Sequence, residues 1–406
     1  MKILMVSDVY FPRVNGVSTS ISTYRGELEA RGHEVHLIVP DYDGLVTDDE
    51  TRIRRIPARH LPFDPEDRLL KGACVLAQRD AVKEADFDLL HIQTPFAAHY
   101  LGVRLARELG IPRVETYHTY FEEYLYHYLP FLPKASMRYL ARALARRQCN
   151  DLHALAVPSS GMLEVLRAYG IRTHAEIIPT GLPEENFIHG DGAAFRARYG
   201  IAPQRPVMLY VGRVAFEKNI GFLLKMTARL KLEIPEVLLL VAGEGPALNA
   251  LKREAEQLGL SGNVLFLGYL DRKRELPDCY RAANLFVFSS RTETQGLVLL
   301  EAMAQSVPVL ALAEMGTRDV LCEGRGAMIA AHEVEDFAAK ARWLLRQPEE
   351  AMHLGKLGKK YAGEWSAGAL AEKMLDFYQR TIERHLEVPT RAQACLPTTC
   401  LNAGDD

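Results

Sequence analysis

No run of apolar residues in the 406-residue chain approaches the ~18 to 20 needed to cross a bilayer, so a helical membrane span is excluded. The opening Met1-Lys2-Ile3-Leu4-Met5-Val6-Ser7-Asp8 turns polar too soon for a secretory signal peptide, and a cytoplasmic location is expected. The net charge is −3, and neither end carries a basic tail. A nucleic-acid partner is therefore not expected, and any basic surface must be local. The six cysteines, Cys74, Cys149, Cys279, Cys322, Cys395 and Cys400, contain no Cys-x-x-Cys pair. That scatter suits reduced thiols better than a zinc or disulfide framework.

Apolar residues, by contrast, make up 48% of the chain, enough for two ordinary domain cores. Short β-branched and leucine-rich runs at residues 3–6, 35–39, 89–92, 113–116, 155–157 and 176–178 alternate with helical patterns, the signature of βαβ units on a parallel sheet. The scheme repeats at 207–211, 237–242, 264–267, 285–288 and 308–311. An α/β chain of two doubly wound, Rossmann-like domains is expected, with ligands at the carboxyl ends of the strands. Residues 179–206 hold Pro179, Gly181, Pro183, Gly190, Gly192, Gly200, Pro203 and Pro206, and the boundary is placed there, giving domains 1–195 and 196–368. The tail 389–406 reads as loose.

Candidate chemistry falls just after strands. Glu293 and Glu301 stand eight positions apart in Ser289-Ser290-Arg291-Thr292-Glu293-Thr294-Gln295-Gly296-Leu297-Val298-Leu299-Leu300-Glu301, where a polar turn runs into an apolar helix starting near Gln295. A helix N-terminus attracts phosphate through its unpaired amides, and carboxylates on either side suit hydroxyls, which is the layout of a sugar nucleotide. For an isolated pair the preferred reading is an amphipathic helix with one solvated glutamate inside and one outside, so the neighbouring signals must decide. Arg213 and Lys218, five residues apart after the 207–211 strand, can clamp a diphosphate leaving group, or can be a surface arginine and a helix-start lysine.

In Pro12-Arg13-Val14-Asn15-Gly16-Val17-Ser18-Thr19, Gly16 permits close backbone approach to a ligand, with Ser18 or Thr19 as the expected helix cap; a simple turn is the other reading. His118, past the 113–116 strand, can hydrogen-bond a hydroxyl or be a satisfied core histidine. Gly243-Glu244-Gly245-Pro246 lacks the third glycine of a dinucleotide fingerprint and reads as a tight turn. Asp41-Tyr42-Asp43 and Asp86-Phe87-Asp88 have a metal-binding spacing but read as ordinary loop acids, and no metal site is expected. Seven of the fifteen residues 117–131 are aromatic, and Lys134, Arg138, Arg142 and Arg146 then share one helical flank, with Met137, Leu140 and Leu144 on another. This helix either lies on an anionic membrane or packs its apolar flank inward and solvates its arginines.

Together Arg213, Lys218, the Glu293 and Glu301 spacing and His118 resemble the family 4 retaining glycosyltransferases of GT-B architecture. Val14-Asn15-Gly16-Val17-Ser18 and Thr116-Tyr117-His118-Thr119 resemble the branch of diacylglycerol glucosyltransferases and sulfoquinovosyl-lipid synthases. Many members have two adjacent glycines where this chain has Asn15-Gly16. The resemblance implies that Arg213 and Lys218 bind the donor diphosphate, Glu293 the transferred sugar and Glu301 the ribose. Gly296, Leu297 and Gly16 would then approach the phosphates, and His118 would serve the reaction. A helix at 369–388 would cross back onto the first domain. The implied activity is metal-independent transfer of a hexose, glucose from UDP-glucose first, to a membrane lipid such as diacylglycerol. The nucleotide sugar is a co-substrate, no other cofactor is implied, and the enzyme would sit peripherally on the inner face of the cell membrane. A GDP-mannose donor, a polysaccharide or phosphoinositide precursor as acceptor, or an inactive nucleotide-sugar or membrane-binding subunit stand as alternatives.

Overall fold

The computed structural model describes residues 1–13, 15–42, 51–61, 64–118, 134–272 and 274–387. Strand β1 (Lys2–Val6) has four successive buried residues, which requires cover on both faces and therefore a central place in a parallel sheet. It is joined by β2 (Glu34–Pro40), β3 (Ile53–Ile56), β6 (Leu89–Ile92), β7 (Arg113–Thr116), β8 (Ala154–Val157) and β9 (His174–Ile177). Their order is β3-β2-β1-β6-β7-β8-β9, all neighbours parallel. Between β3 and β6, strands β4 (Ala58–Leu61) and β5 (Asp64–Leu70) form a separate antiparallel pair.

The second sheet holds β10 (Val207–Val211), β11 (Leu238–Ala242), β12 (Val264–Gly268), β13 (Leu285–Phe288), β14 (Val309–Leu312) and β15 (Ala327–Ala330) in the order β12-β11-β10-β13-β14-β15. In each sheet the strand order reverses beside the first strand, between β1 and β6 and between β10 and β13. Loops diverge at such a point and leave a crevice beyond the strand ends, so these two places define where a ligand can lie. The two doubly wound domains of the sequence reading are present. Four strands were not foreseen: β3, whose Ile-Arg-Arg-Ile composition suits a sheet edge, the β4–β5 pair, and the short β15.

The chain passes between the domains twice, side by side. Leu182 N–H donates to Trp365 O, Ala367 N–H returns to Leu182 O, and a Cβ on Gly181 would lie 2.5 Å from Ala367 Cα. Leu182 and Phe195 already pack in the second core. After the second crossing, the helix Ala367–Glu387 lies back on the first domain and sinks Met374, Phe377 and Tyr378 into a core with Ile3, Met5, Ile21 and Tyr24. Each side chain of that size contributes about 1.5–3 kcal/mol by leaving water. Arg380 also pairs with Glu176 at 2.6 Å.

Buried His91 on β6 fastens this helix. One ring nitrogen is 2.6 Å from Tyr378 Oη and the other 2.8 Å from Thr116 Oγ1, and burial pushes the imidazole down to about 3. An unfolded histidine titrates near ~6.5, so between those values the unfolded chain binds the extra proton and stability falls as pH falls. From pH 6.5 to 5 this group alone should cost roughly 2 kcal/mol. His91→Gln keeps a donor and an acceptor without the titration, so urea unfolding at pH 7.5 and 5.0 should show a pH penalty smaller by that amount.

Candidate active site

At the β1/β6 switch, the first helix begins at Gly16 and runs through Gly16–Ala30. Its cap is Asn15 rather than Ser18 or Thr19. Asn15 is extended at φ −153°, which aims its side-chain carbonyl at the Ser18 N–H, 2.9 Å away, while the Ser18 hydroxyl donates to Arg13 O. A Cβ on Gly16 would meet no atom within 4 Å, so packing does not demand the glycine. His118 follows β7, with Nε2 3.0 Å from Gln93 Oε1, and burial pushes its pKa down to about 4. The ring is therefore neutral near pH 7 and serves as a hydrogen-bonding group rather than a cation.

At the β10/β13 switch the loops stack backbone on backbone. Gly212 N–H donates to Ala242 O, Gly243 N–H to Gly268 O, and a Cβ on Gly243 would lie 2.0 Å from Gly212 O. Gly243-Glu244-Gly245 thus serves close packing, as its turn-like sequence suggested. Beyond Gly212 the chain makes a short turn, Phe216–Lys218, and Asn219 takes the left-handed conformation at φ +57°. Asn219 is locked there by two bonds to Ser289 at the end of β13, Asn219 Nδ2 to Ser289 O and Ser289 Oγ to Asn219 O.

This lock sets Lys218 against Glu293, with Nζ 2.7 Å from Oε2. Burial raises the Glu293 carboxyl, but the Lys218 ammonium and the amides of Gly296 and Gln295 outweigh it and hold the group below the usual range. Glu293 is a carboxylate at neutral pH. Gly296 takes φ +92° to open the helix Leu297–Ala304, where no side chain caps the N-terminus. The Gly296 amide is thereby turned to the Glu293 carboxylate. Arg213 is half-exposed, 3.9 Å from Glu217.

Glu301, in the second turn of that helix as expected, is buried. One carboxylate oxygen pairs with Arg272, and the other accepts from Tyr280 Oη at 2.8 Å. The Glu301 charge raises the Arg272 pKa, so the guanidinium stays charged. Arg272 and Tyr280 were not foreseen. The basic run after β12 was the available signal, but no spacing rule connects it to a glutamate 29 residues on.

The structure thus brings Lys218, Glu293 and Gly296 into direct contact, with Leu297 next in the chain. Arg213 and Glu301 stand on the same domain with their own partners, and Gly16 and His118 on the other. Asp88 caps the amino edge of the first sheet, accepting from Lys2 N–H at 2.7 Å, the end away from the switch point. Asp43 and residues 119–133, with most of the aromatic run, lie outside the described residues.

The basic helix spans Lys134–Cys149 and turns Ala141, Ala145, Gln148 and Cys149 inward. Arg142, Arg146 and Arg147 are exposed, and so are Tyr139 and Leu140. Leu140 does not join the packed flank, because the alanines allow the helix to lie closer on their own side; Leu144 is partly buried. The side chains of Lys134, Met137 and Arg138 are outside the described set. No helix among the described residues is long and apolar enough to cross a membrane.

Comparison with known proteins agrees with this geometry. A family model described as Glycosyltransferase Family 4 matches residues 14–186, and one described as Glycosyl transferases group 1 matches residues 191–361. The alpha-monoglucosyldiacylglycerol synthase of Streptococcus pneumoniae is 34% identical over 320 residues, 77% of this chain and 71% of that one. A GDP-mannose-dependent alpha-mannosyltransferase of Mycobacterium tuberculosis is 28% identical over 380 residues, covering 89% of this chain and 90% of its own. Among solved structures, sucrose-phosphate synthase from Thermosynechococcus elongatus superposes with a TM-score of 0.77 at 21% identity, covering 94% of this chain and 99% of that one. The chain belongs to the family 4 glycosyltransferases and has their two-domain GT-B fold.

Proposed function

We propose that this glycosyltransferase moves a hexose, glucose from UDP-glucose first, onto a membrane lipid such as diacylglycerol, with retention of anomeric configuration and without a metal ion. The observation that carries the donor half is the Lys218–Glu293 pair beside the uncapped Leu297–Ala304 helix at the switch point. The donor diphosphate lies between that helix terminus and the cations Lys218 and Arg213, which take up the charge that grows on the leaving group. Glu293 accepts from hydroxyls of the transferred sugar, and Glu301, oriented by Arg272 and Tyr280, from those of the ribose. The acceptor enters from the first domain beside His118. Its oxygen bonds to the anomeric carbon on the face the diphosphate leaves, and the departing phosphate oxygen takes its proton.

The lipid half is supported by the 34% identity to a glucosyldiacylglycerol synthase and by Tyr139 and Leu140 exposed beside Arg142 and Arg146. Aromatic and aliphatic groups flanked by cations suit an anionic lipid surface, at ~1 kcal/mol per cation. Reversing both charges in Arg142→Glu/Arg146→Glu should weaken flotation with anionic vesicles at least tenfold and leave turnover of a detergent-soluble short-chain acceptor within about twofold. Equal flotation would remove the patch from the account.

A GDP-mannose donor is the second reading, supported by the mannosyltransferase relative. Incubating the protein with each of UDP-glucose, UDP-galactose and GDP-mannose, against diacylglycerol vesicles and a soluble sugar, separates the readings by which pair yields a product. No transfer with any pair would favour a binding subunit.

A further inference from the structure

We infer that Gln295 is a positioning residue that ties the relative setting of the two domains to the placement of Glu293, an inference resting on Glu293 as the donor-sugar residue. Gln295 is buried, and its amide matches the backbone of Thr180 at the first interdomain crossing. Nε2 donates to Thr180 O at 2.6 Å, and Oε1 accepts from Thr180 N–H at 2.8 Å. The Thr180 hydroxyl donates in turn to Ser20 Oγ at 2.7 Å, on the helix that Gly16 opens. The Tyr24 hydroxyl of that helix holds the neighbouring Pro179 O at 2.7 Å. A chain of hydrogen bonds therefore runs from the first-domain glycine helix, through the first crossing segment, into the loop that carries Glu293.

The same loop is held at its other side. Glu293 O accepts from Gly316 N–H at 2.9 Å, and a Cβ on Gly316 would lie 1.9 Å from Thr294 O, so the two backbones are in contact. Residues 315–319 form a second contact between the domains. Asp319 accepts from Ser160 N–H at 2.5 Å and from its hydroxyl, Arg318 pairs with Glu164, and a Cβ on Gly161 would lie 2.9 Å from the Met315 carbonyl carbon. The 293–296 loop is thus suspended between two places where the domains touch. A rotation about the crossing segments shifts both anchors, and with them the Gln295 and Gly296 amides that hold the Glu293 carboxylate.

The residue type fits the task. One short side chain supplies both a donor and an acceptor to a single backbone unit, which an aliphatic residue or a carboxylate does not. Displacing a reacting group by about 1 Å costs roughly 100-fold in rate even when the substrate still binds. Gln295 should therefore govern turnover far more than donor affinity.

The test uses the full chain, the donor that the screen identifies and its nucleotide product as probe. Gln295→Met should unfold cooperatively, bind the nucleotide within about threefold of the parent, keep donor KM within about threefold, and lose 30- to 100-fold in kcat. Thr180→Val, which removes only the hydroxyl to Ser20, should lose about 5- to 10-fold in kcat. The double variant should be no worse than Gln295→Met, because both cut one chain. Multiplying effects in the double variant, or parallel loss of nucleotide affinity and kcat, would overturn the inference. If Gln295→Met does not fold, the Thr180→Val loss in kcat at unchanged KM decides alone, and its absence overturns the proposal. Glu293→Gln runs alongside: if it is inactive while Gln295→Met is within threefold of the parent, the coupling fails and the site stands; if Glu293→Gln is active, the functional reading itself fails.

Discussion

Replacing Glu293 with glutamine should lower kcat for sugar transfer on the order of 10³-fold while the protein remains folded and binds nucleotide. The carboxylate is held ionised by Lys218 and by two loop amides, against burial that alone would favour its neutral form. Such a group is pre-set, so in the proposed function hydroxyls of a bound sugar meet a fixed negative charge without reorganisation, and losing one charge-stabilising contact of this kind costs roughly 10²–10³-fold. Glutamine has nearly the same shape, but one of its two ends is an NH2 donor that must face either Lys218 or the loop amides, all of them donors, so it loses a partner as well as the charge. An unpaired ammonium that is one-fifth exposed costs about 1–3 kcal/mol, which an ordinary two-domain fold tolerates. The depressed carboxyl also sets a sign. Its contribution to stability is fully present above the unfolded value near ~4.3 and is lost as pH falls through the lower folded value. The parent should therefore lose this part of its stability only in strong acid, and Glu293→Gln should lack that step.

Lys218→Met should be the next most damaging change, at about 10²–10³-fold in kcat. The ammonium has two tasks. It offsets the Glu293 carboxylate, and in the proposed function it faces the donor diphosphate as the bond to the sugar breaks. Methionine keeps the length of the stem and removes the charge. Burial at Glu293 is then opposed only by the loop amides, so its pKa rises relative to the parent. The acid limb of the pH–rate profile should move upward with it, a shift that simple loss of donor affinity would not produce. Because both residues act as one unit, Lys218→Met/Glu293→Gln should be far less damaging than the product of the single effects.

How much of this was legible in the chain differs by element. Strands such as β10 and β11, apolar at every position and followed by glycine, announce a covered parallel strand by their own residues. β3 does not, because its Arg54 and Arg55 are acceptable only at an edge that the sequence does not mark. The Glu293 and Glu301 spacing placed a helix start between two carboxylates, and the helix does begin at Leu297. What the spacing did not contain was partnership. That Lys218 closes on Glu293 depends on the left-handed turn at Asn219, fixed by Ser289 from a strand 70 residues on. That Arg272 and Tyr280 hold Glu301 depends on how β12 and the following helix lie against Leu297–Ala304. The Asn15 cap was local and readable, since asparagine is as good a cap as serine. The outward turn of Leu140 depends on Ala141 and Ala145 lying against the domain.

The most direct test of the account is mass spectrometry of the products after the protein is given a mixture of nucleotide sugars and a membrane lipid extract. A hexosyl-diacylglycerol that gains its hexose from UDP-glucose should appear with the parent chain and be absent with Glu293→Gln. A hexose found only on a soluble acceptor, a mannosylated lipid in its place, or the same glycolipid made undiminished by Glu293→Gln would contradict it.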